Sequence, residues 1–137
     1  MPSYNIKGDG HKAIICLGSN VNAEWHVNEA KRRLAERYVE LRSTRNVRTA
    51  PIGMKSGFFT NCMVCLCVDE SLEALLLFTK QLERELGRSH DESRRGVVII
   101  DVDVLQFDDC RLHINDWGRQ YVKQLFYELN RETFAND

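Results

Sequence analysis

A chain of 137 residues, 43% hydrophobic and 28% charged, is long enough to bury a single core without disulfides or a structural metal, and fits one domain. Its 19 Lys and Arg stand against 20 Asp and Glu for a formal net charge of -1, with no long basic run, which argues against a nucleic-acid-binding surface. The 5 cysteines are an odd number, and neither a secretory hydrophobic region nor a long apolar span is present, so a reduced, cytoplasmic setting without membrane contact is expected.

The opening "MPSYNIKGDGHK" is polar and contains glycine, so residues 1–11 are expected to be a flexible leader and 12–137 a single domain. The first strand is "KAIICLG", 12–18, ended by Gly18. Apolar residues at 27, 30, 34 and 38 then mark one face of a helix. "VELRSTRNVRTAP" predicts a second, more polar strand stopped by Pro51, and "FFTNCMVCLCV" a third. Within that run Cys62 and Cys65 have the spacing of a zinc or redox pair, but no second pair follows, which favours small buried hydrophobes. "SLEALLLFTKQLERELG" is the clearest helix, with Ser71 as its cap, acid in its first turn and Gly87 at its end. The charged loop "RSHDESRRG" leads into "GVVIIDVDVLQF", 96–107, a fourth strand expected to be central and covered on both faces. "DWGRQYVKQLFYELNRE" closes the chain as a further helix, with Tyr121, Val122, Leu125, Phe126 and Leu129 apolar. The order βαββαβ predicts an α+β, ferredoxin-like core: a mostly antiparallel four-stranded sheet with helices on one face, plus a C-terminal helix.

Side chains two apart on a strand share a face, so Asp101 and Asp103 point the same way as Ile99 and Leu105. Two like charges in an apolar frame need compensation by a cation, by basic side chains or by raised pKa values, unless the strand bends out and both are hydrated. Just before them lie Arg88, His90, Arg94 and Arg95. Guanidinium forks grip phosphate oxygens, and Mg2+ takes one or two carboxylates with phosphate and water filling its other positions, so loop and pair together read as a Mg-nucleotide site. The bland alternative is a solvated loop whose arginines pair with Asp91 and Glu92.

Five motifs extend the reading. "LGSN" at 17–20, "TAPIG" at 49–53, "FTN" at 59–61, "LERELGR" at 82–88 and "IDVDVLQF" at 100–107 resemble, in order and spacing, the 6-hydroxymethyl-7,8-dihydropterin pyrophosphokinases of folate biosynthesis, over roughly residues 13–119. The resemblance implies that Asp101 and Asp103 hold two Mg2+ ions bridging the phosphates of the co-substrate ATP, with catalysis assisted by Arg88 and Arg94. It implies that Glu83, Arg88, His113 and Arg119 serve the nucleotide, and that Thr49, Pro51, Phe59, Asn61 and Tyr121 form the pterin pocket, the two aromatic residues stacking on the ring. The implied reaction moves the β,γ-pyrophosphoryl unit of ATP onto the hydroxymethyl oxygen of the pterin, with no nucleic-acid or membrane partner.

The chain also departs from the pattern. Where the family reads Trp-Gly-Pro-Arg, this sequence has Arg95-Gly96-Val97-Val98, and Val47 stands for the usual tyrosine. Arg94 or Arg95 is the candidate to replace the missing phosphate contact. The alternatives are a degenerate homologue that binds a pterin or nucleotide without turnover, and a ferredoxin-like interaction module whose carboxylates are solvated.

Overall fold

A computed structural model describes residues 10–50, 57–87 and 96–135. The expected leader lies almost wholly outside them. Among the described residues the strands β1 (His11–Ser19), β2 (Val39–Ser43), β3 (Val47–Thr49), β4 (Phe59–Val68), β5 (Asp101–Phe107) and β6 (Cys110–Arg111) form one sheet. The helices are α1 (Ala23–Arg37), α2 (Leu72–Glu85) and α3 (Gln120–Ala135), and a short 3-10 helix, Ile114–Gly118, precedes α3. Strand order is β2-β4-β1-β5-β6, with β3 also pairing β4, and every pairing is antiparallel. Taking β2 and β3 as one interrupted strand, this is the ferredoxin-like α+β arrangement.

The two central strands are continuously apolar because each face of the sheet is covered. Ala13, Ile15 and Leu17 of β1 and Cys62, Val64 and Leu66 of β4 pack with Val27, Ala30 and Leu34 of α1 and Leu75 and Leu82 of α2. Their alternating neighbours, Ile14, Cys16, Met63 and Cys65, pack on the opposite face with Trp117 and with Val122, Leu125 and Leu129 of α3. Each fully buried Leu or Val contributes about 1.5–3 kcal/mol of transfer free energy, so both layers hold the sheet. Cys62 and Cys65 thus face opposite sides, so this pair cannot grip one metal ion or form a redox pair.

Local chemistry sets the helix ends. The Ser71 hydroxyl accepts from the Ala74 amide at 3.1 Å to start α2, and Gly87, at φ 105°, takes the left-handed turn after it. The second strand is not continuous. Thr44 breaks it, its backbone N–H donating to the Met63 carbonyl while its hydroxyl accepts from the Met63 amide, so β4 keeps its bonds across the gap between β2 and β3.

Four further expectations are corrected. The fourth strand starts at Asp101, not Gly96, because the backbone N–H and C=O of Val98 are taken by Asn20 rather than by a neighbouring strand. It is not central: β1 flanks it along one side, and β6 pairs only Gln106 and Phe107 on the other. Ile99 precedes the strand and packs on the α1/α2 layer, whereas Leu105 packs under α3, so the shared face does not extend back to Ile99. The C-terminal helix starts at Gln120, after the 3-10 turn.

Candidate functional site

The register of the sheet builds the site. Gly18 lies opposite Asp101 of β5 on one side and Asn61 of β4 on the other, and Asn61 in turn lies opposite Val47 of β3. One step along, Cys16 lies between Asp103 and Met63. These residues share the face that α3 covers, so two rows across four strands converge beneath Tyr121.

Gly18 has a specific steric duty. A Cβ there would stand 2.6 Å from Asn61 Oδ1, so the glycine lets the Asn61 amide lie flat across β1. The amide Nδ2 donates to Thr49 Oγ1 at 2.6 Å, which fixes both side chains. Asn61 is buried at 4% exposure, a costly place for an amide unless its position matters. Phe59, Thr49, Asn61, Tyr121, Arg119 and the two aspartates line one cavity of about 150 Å³, walled also by Cys16, Gly18 and Val98. A larger groove of about 780 Å³ runs beside α3 and shares Tyr121 with this cavity. It has a single carboxylate, Glu128, so the smaller cavity is where the chemistry gathers.

The electrostatics mark the acidic end. Burial, then the neighbouring Asp101 charge, pushes Asp103 from 3.8 up to about 6. His113 opposes this, while Glu83 and Asp116 add to it, which places all three within electrostatic reach. Burial also raises the Cys16 thiol well above its ordinary value, with Asp103 as the next cause, so this cysteine is a poor nucleophile. Tyr121 is likewise raised by burial and keeps its phenol proton. Among the described residues no group of three or more His, Cys, Asp and Glu side chains forms a metal cage. The donor set instead suits Mg2+: two carboxylates on one strand face, whose mutual repulsion a divalent cation would relieve, beside a cavity that can hold phosphate oxygens and water.

Other expected residues take different places. Glu83 does not line the cavity. It is buried on α2 at 5% exposure, and its carboxylate accepts from the Val102 amide at 2.8 Å, on the edge of β5 that β6 does not reach. His113 lies just outside the cavity lining, in a left-handed conformation at the start of the 3-10 helix. Arg88, Arg94 and Pro51 lie outside the described residues.

Two contributors were given no role of their own by the sequence, although Asn20 closes the LGSN motif. Asn20 clamps the run before β5: Nδ2 donates to the Gly96 carbonyl and Oδ1 accepts from the Val98 amide, both at 2.7 Å, while its backbone N–H donates to the Val98 carbonyl at 2.9 Å. Its place directly after β1, in Gly-Ser-Asn, was the available signal. Asp116 lies between His113 and Arg119, and its spacing of three from each was legible but unused.

Fold and site together define an α+β protein with an acidic pair at one end of a polar, aromatic-lined cavity. The chain belongs to the 7,8-dihydro-6-hydroxymethylpterin-pyrophosphokinase (HPPK) family, whose model matches residues 14–131. It is also similar to the "Folic acid synthesis protein FOL1" of Dictyostelium discoideum, at 23% identity over 130 residues covering 88% of this chain. The chain spans about a fifth of that relative's length. Among the described residues no helix is long and apolar enough to cross a membrane.

Proposed function

We propose that the protein transfers the pyrophosphoryl unit of ATP to 6-hydroxymethyl-7,8-dihydropterin, with Mg2+ at Asp101 and Asp103, as a step of folate biosynthesis. The observation that carries this is the meeting, in one cavity, of the carboxylate pair with the Thr49–Asn61 hydrogen bond and the rings of Phe59 and Tyr121. A pterin is planar and polar-edged, so it needs aromatic faces and a mixed donor and acceptor edge, which Asn61 and Thr49 provide. Bound Mg2+ would neutralise phosphate charge and favour the transition state of the transfer, and two ions are the expectation from the family pattern. The chain's own task is positioning: Asn20 fixes the approach to β5, Gly18 admits Asn61, and Arg119 borders the cavity next to the acidic pair. Such a reaction needs alignment and charge compensation more than covalent help. The free, buried thiols Cys16, Cys62 and Cys65 support a reducing compartment such as the cytoplasm.

A second reading has its own observation. Val98 is 5% exposed and forms part of the cavity wall, where the family pattern has an arginine. Loss of an essential transition-state arginine costs about 10³- to 10⁵-fold in rate, so binding without turnover is the rival. Incubation with ATP, Mg2+ and the hydroxymethyldihydropterin, followed by chromatography for AMP, decides between them. AMP formed only when pterin and Mg2+ are both present supports the transferase. Tight binding of both substrates with no AMP supports the rival, and no binding of either refutes both.

A further inference from the structure

Three features carry Asp116 beyond a surface ion pair. First, it lies beside both candidate nucleotide-side residues: Oδ1 lies 3.2 Å from Arg119 Nε, and Oδ2 lies 3.8 Å from His113 Nδ1. Second, its segment is rigidly held. The Asp116 amide donates to the His113 carbonyl at 2.8 Å and the Arg119 amide donates to the Asp116 carbonyl at 3.0 Å. The next residue, Trp117, is buried and anchors the 3-10 helix to β5, its indole N–H shared between the carbonyls of Leu105 and Leu112 at 3.1 Å each. The Arg111 guanidinium lies 3.8 Å over that indole and Phe126 packs against its edge, so the anchor is fixed on two sides. Third, Asp116 is among the charges that raise Asp103, so it stands within electrostatic reach of the cavity without lining it, although its charge disfavours an anionic ligand there.

From these we infer that Asp116 is a positioning residue, which holds the Arg119 guanidinium, and with it His113, at the mouth of the cavity in the orientation that receives the nucleotide phosphates. The inference rests on the nucleotide reading given above. The contact to Arg119 uses Nε, which leaves the terminal Nη pair for a bidentate phosphate contact. Arg119 is 40% exposed, and a free arginine at such a site loses rotamer freedom when it binds. A carboxylate that has already ordered the side chain through Nε removes part of that cost.

The sign of the effect separates positioning from simple charge. If Asp116 only added negative potential, Asp116→Asn would bind an anionic nucleotide more tightly or equally well. Positioning demands the reverse, a weakening of about two- to tenfold, the cost of ordering one long side chain. The experiment is calorimetric titration of the Mg2+ complex of the α,β-methylene analogue of ATP into wild type, Asp116→Asn, Arg119→Ala and the double variant. Folding is checked by near-ultraviolet dichroism, and Asp116→Glu serves as the conservative variant. Weaker binding in Asp116→Asn, partial recovery in Asp116→Glu, and no further loss when Asp116→Asn is added to Arg119→Ala support the inference. Unchanged or tighter binding in Asp116→Asn, with Arg119→Ala weakened, overturns it and leaves the nucleotide site standing. Additive losses in the double variant also overturn it. Absence of binding in wild type overturns the nucleotide reading and this inference with it. If Asp116→Asn does not fold, Asp116→Glu decides: affinity equal to wild type overturns the inference, and a loss that vanishes in the Arg119→Ala background supports it.

Discussion

Removing the charge of Asp103 should stabilise the metal-free protein at neutral pH. The folded chain holds the Asp103 proton more tightly than the unfolded chain, because burial first and Asp101 second disfavour the ionised form. Stability from this group is therefore greatest below its ordinary value of 3.8, falls as pH rises to about 6, and stays at its minimum above that. The full rise corresponds to about 3 kcal/mol, which residual water contact at a half-buried carboxylate reduces to about 1–2 kcal/mol. Asp103→Asn removes the penalty with almost no change of shape, so its melting temperature without divalent ions should exceed that of wild type by about 3–7 °C at pH 7.5. The gap should close by pH 4. Asp101→Asn should recover only part of the gain, since the neighbouring charge is the lesser cause. Added Mg2+ should stabilise wild type and leave Asp103→Asn nearly unmoved. Thermal melts between pH 4 and 8, without Mg2+ and with Mg2+ raised in 10-fold steps, measure all of this. An Asp103→Asn variant less stable than wild type at pH 7.5 by the same margin as at pH 4 would refute the reasoning.

Three other substitutions probe different walls of the cavity. Val98→Arg should raise AMP formation more than it changes nucleotide affinity, because a phosphate clamp used in the transition state appears in kcat; a folded variant that binds normally and turns over no faster refutes this. Asn61→Ala leaves Thr49 without its partner and removes the amide, so it should cost about 1–2 kcal/mol of stability and weaken pterin binding sharply, with Phe59→Ala weakening it as well. Intrinsic-fluorescence titration reads both, with a folded Cys65→Ala variant as control, and wild-type affinity in both site variants rules out the pterin assignment. Asn20→Ala frees the Val98 amide, which should lose hydrogen-exchange protection ahead of the β5 amides; unchanged protection would show that the clamp is not what holds the 96–98 run.

How much of this was readable from the sequence depends on the range of the interaction involved. Helix α2 was legible almost to the residue because its signals are local: Ser71 at the cap, apolar residues in helical register, Gly87 at the end. The face shared by Asp101 and Asp103 was legible for the same reason, since a strand fixes which way alternate residues point. The start of β5 was not. Val97, Val98, Ile99 and Ile100 have every local property of a strand, and only Asn20, 78 positions from Val98, withdraws the backbone groups that a strand would need. The break between β2 and β3 hid in the same manner, because Thr44 looks like any strand threonine until Met63 is placed beside it.

The same distinction of range separates the two kinds of residue in the cavity. Residues whose chemistry is unusual for their local setting, such as paired acids in an apolar run or an asparagine within a buried strand, announce themselves in sequence because the setting makes them costly. Residues that only hold others in place have no such signature. Glu83 stands on both sides of the distinction: a motif position suggests a nucleotide contact, and its carboxylate also accepts from the Val102 amide, one residue between the two aspartates, on the β5 edge that β6 leaves open. Asn20 before the strand, Glu83 beside it and Trp117 beyond it grip β5 and its approach at three points, through Val98, Val102 and Leu105. The repulsion between Asp101 and Asp103 is expressed in the raised Asp103 value, and these three contacts hold the backbone of β5 and its approach in place against it.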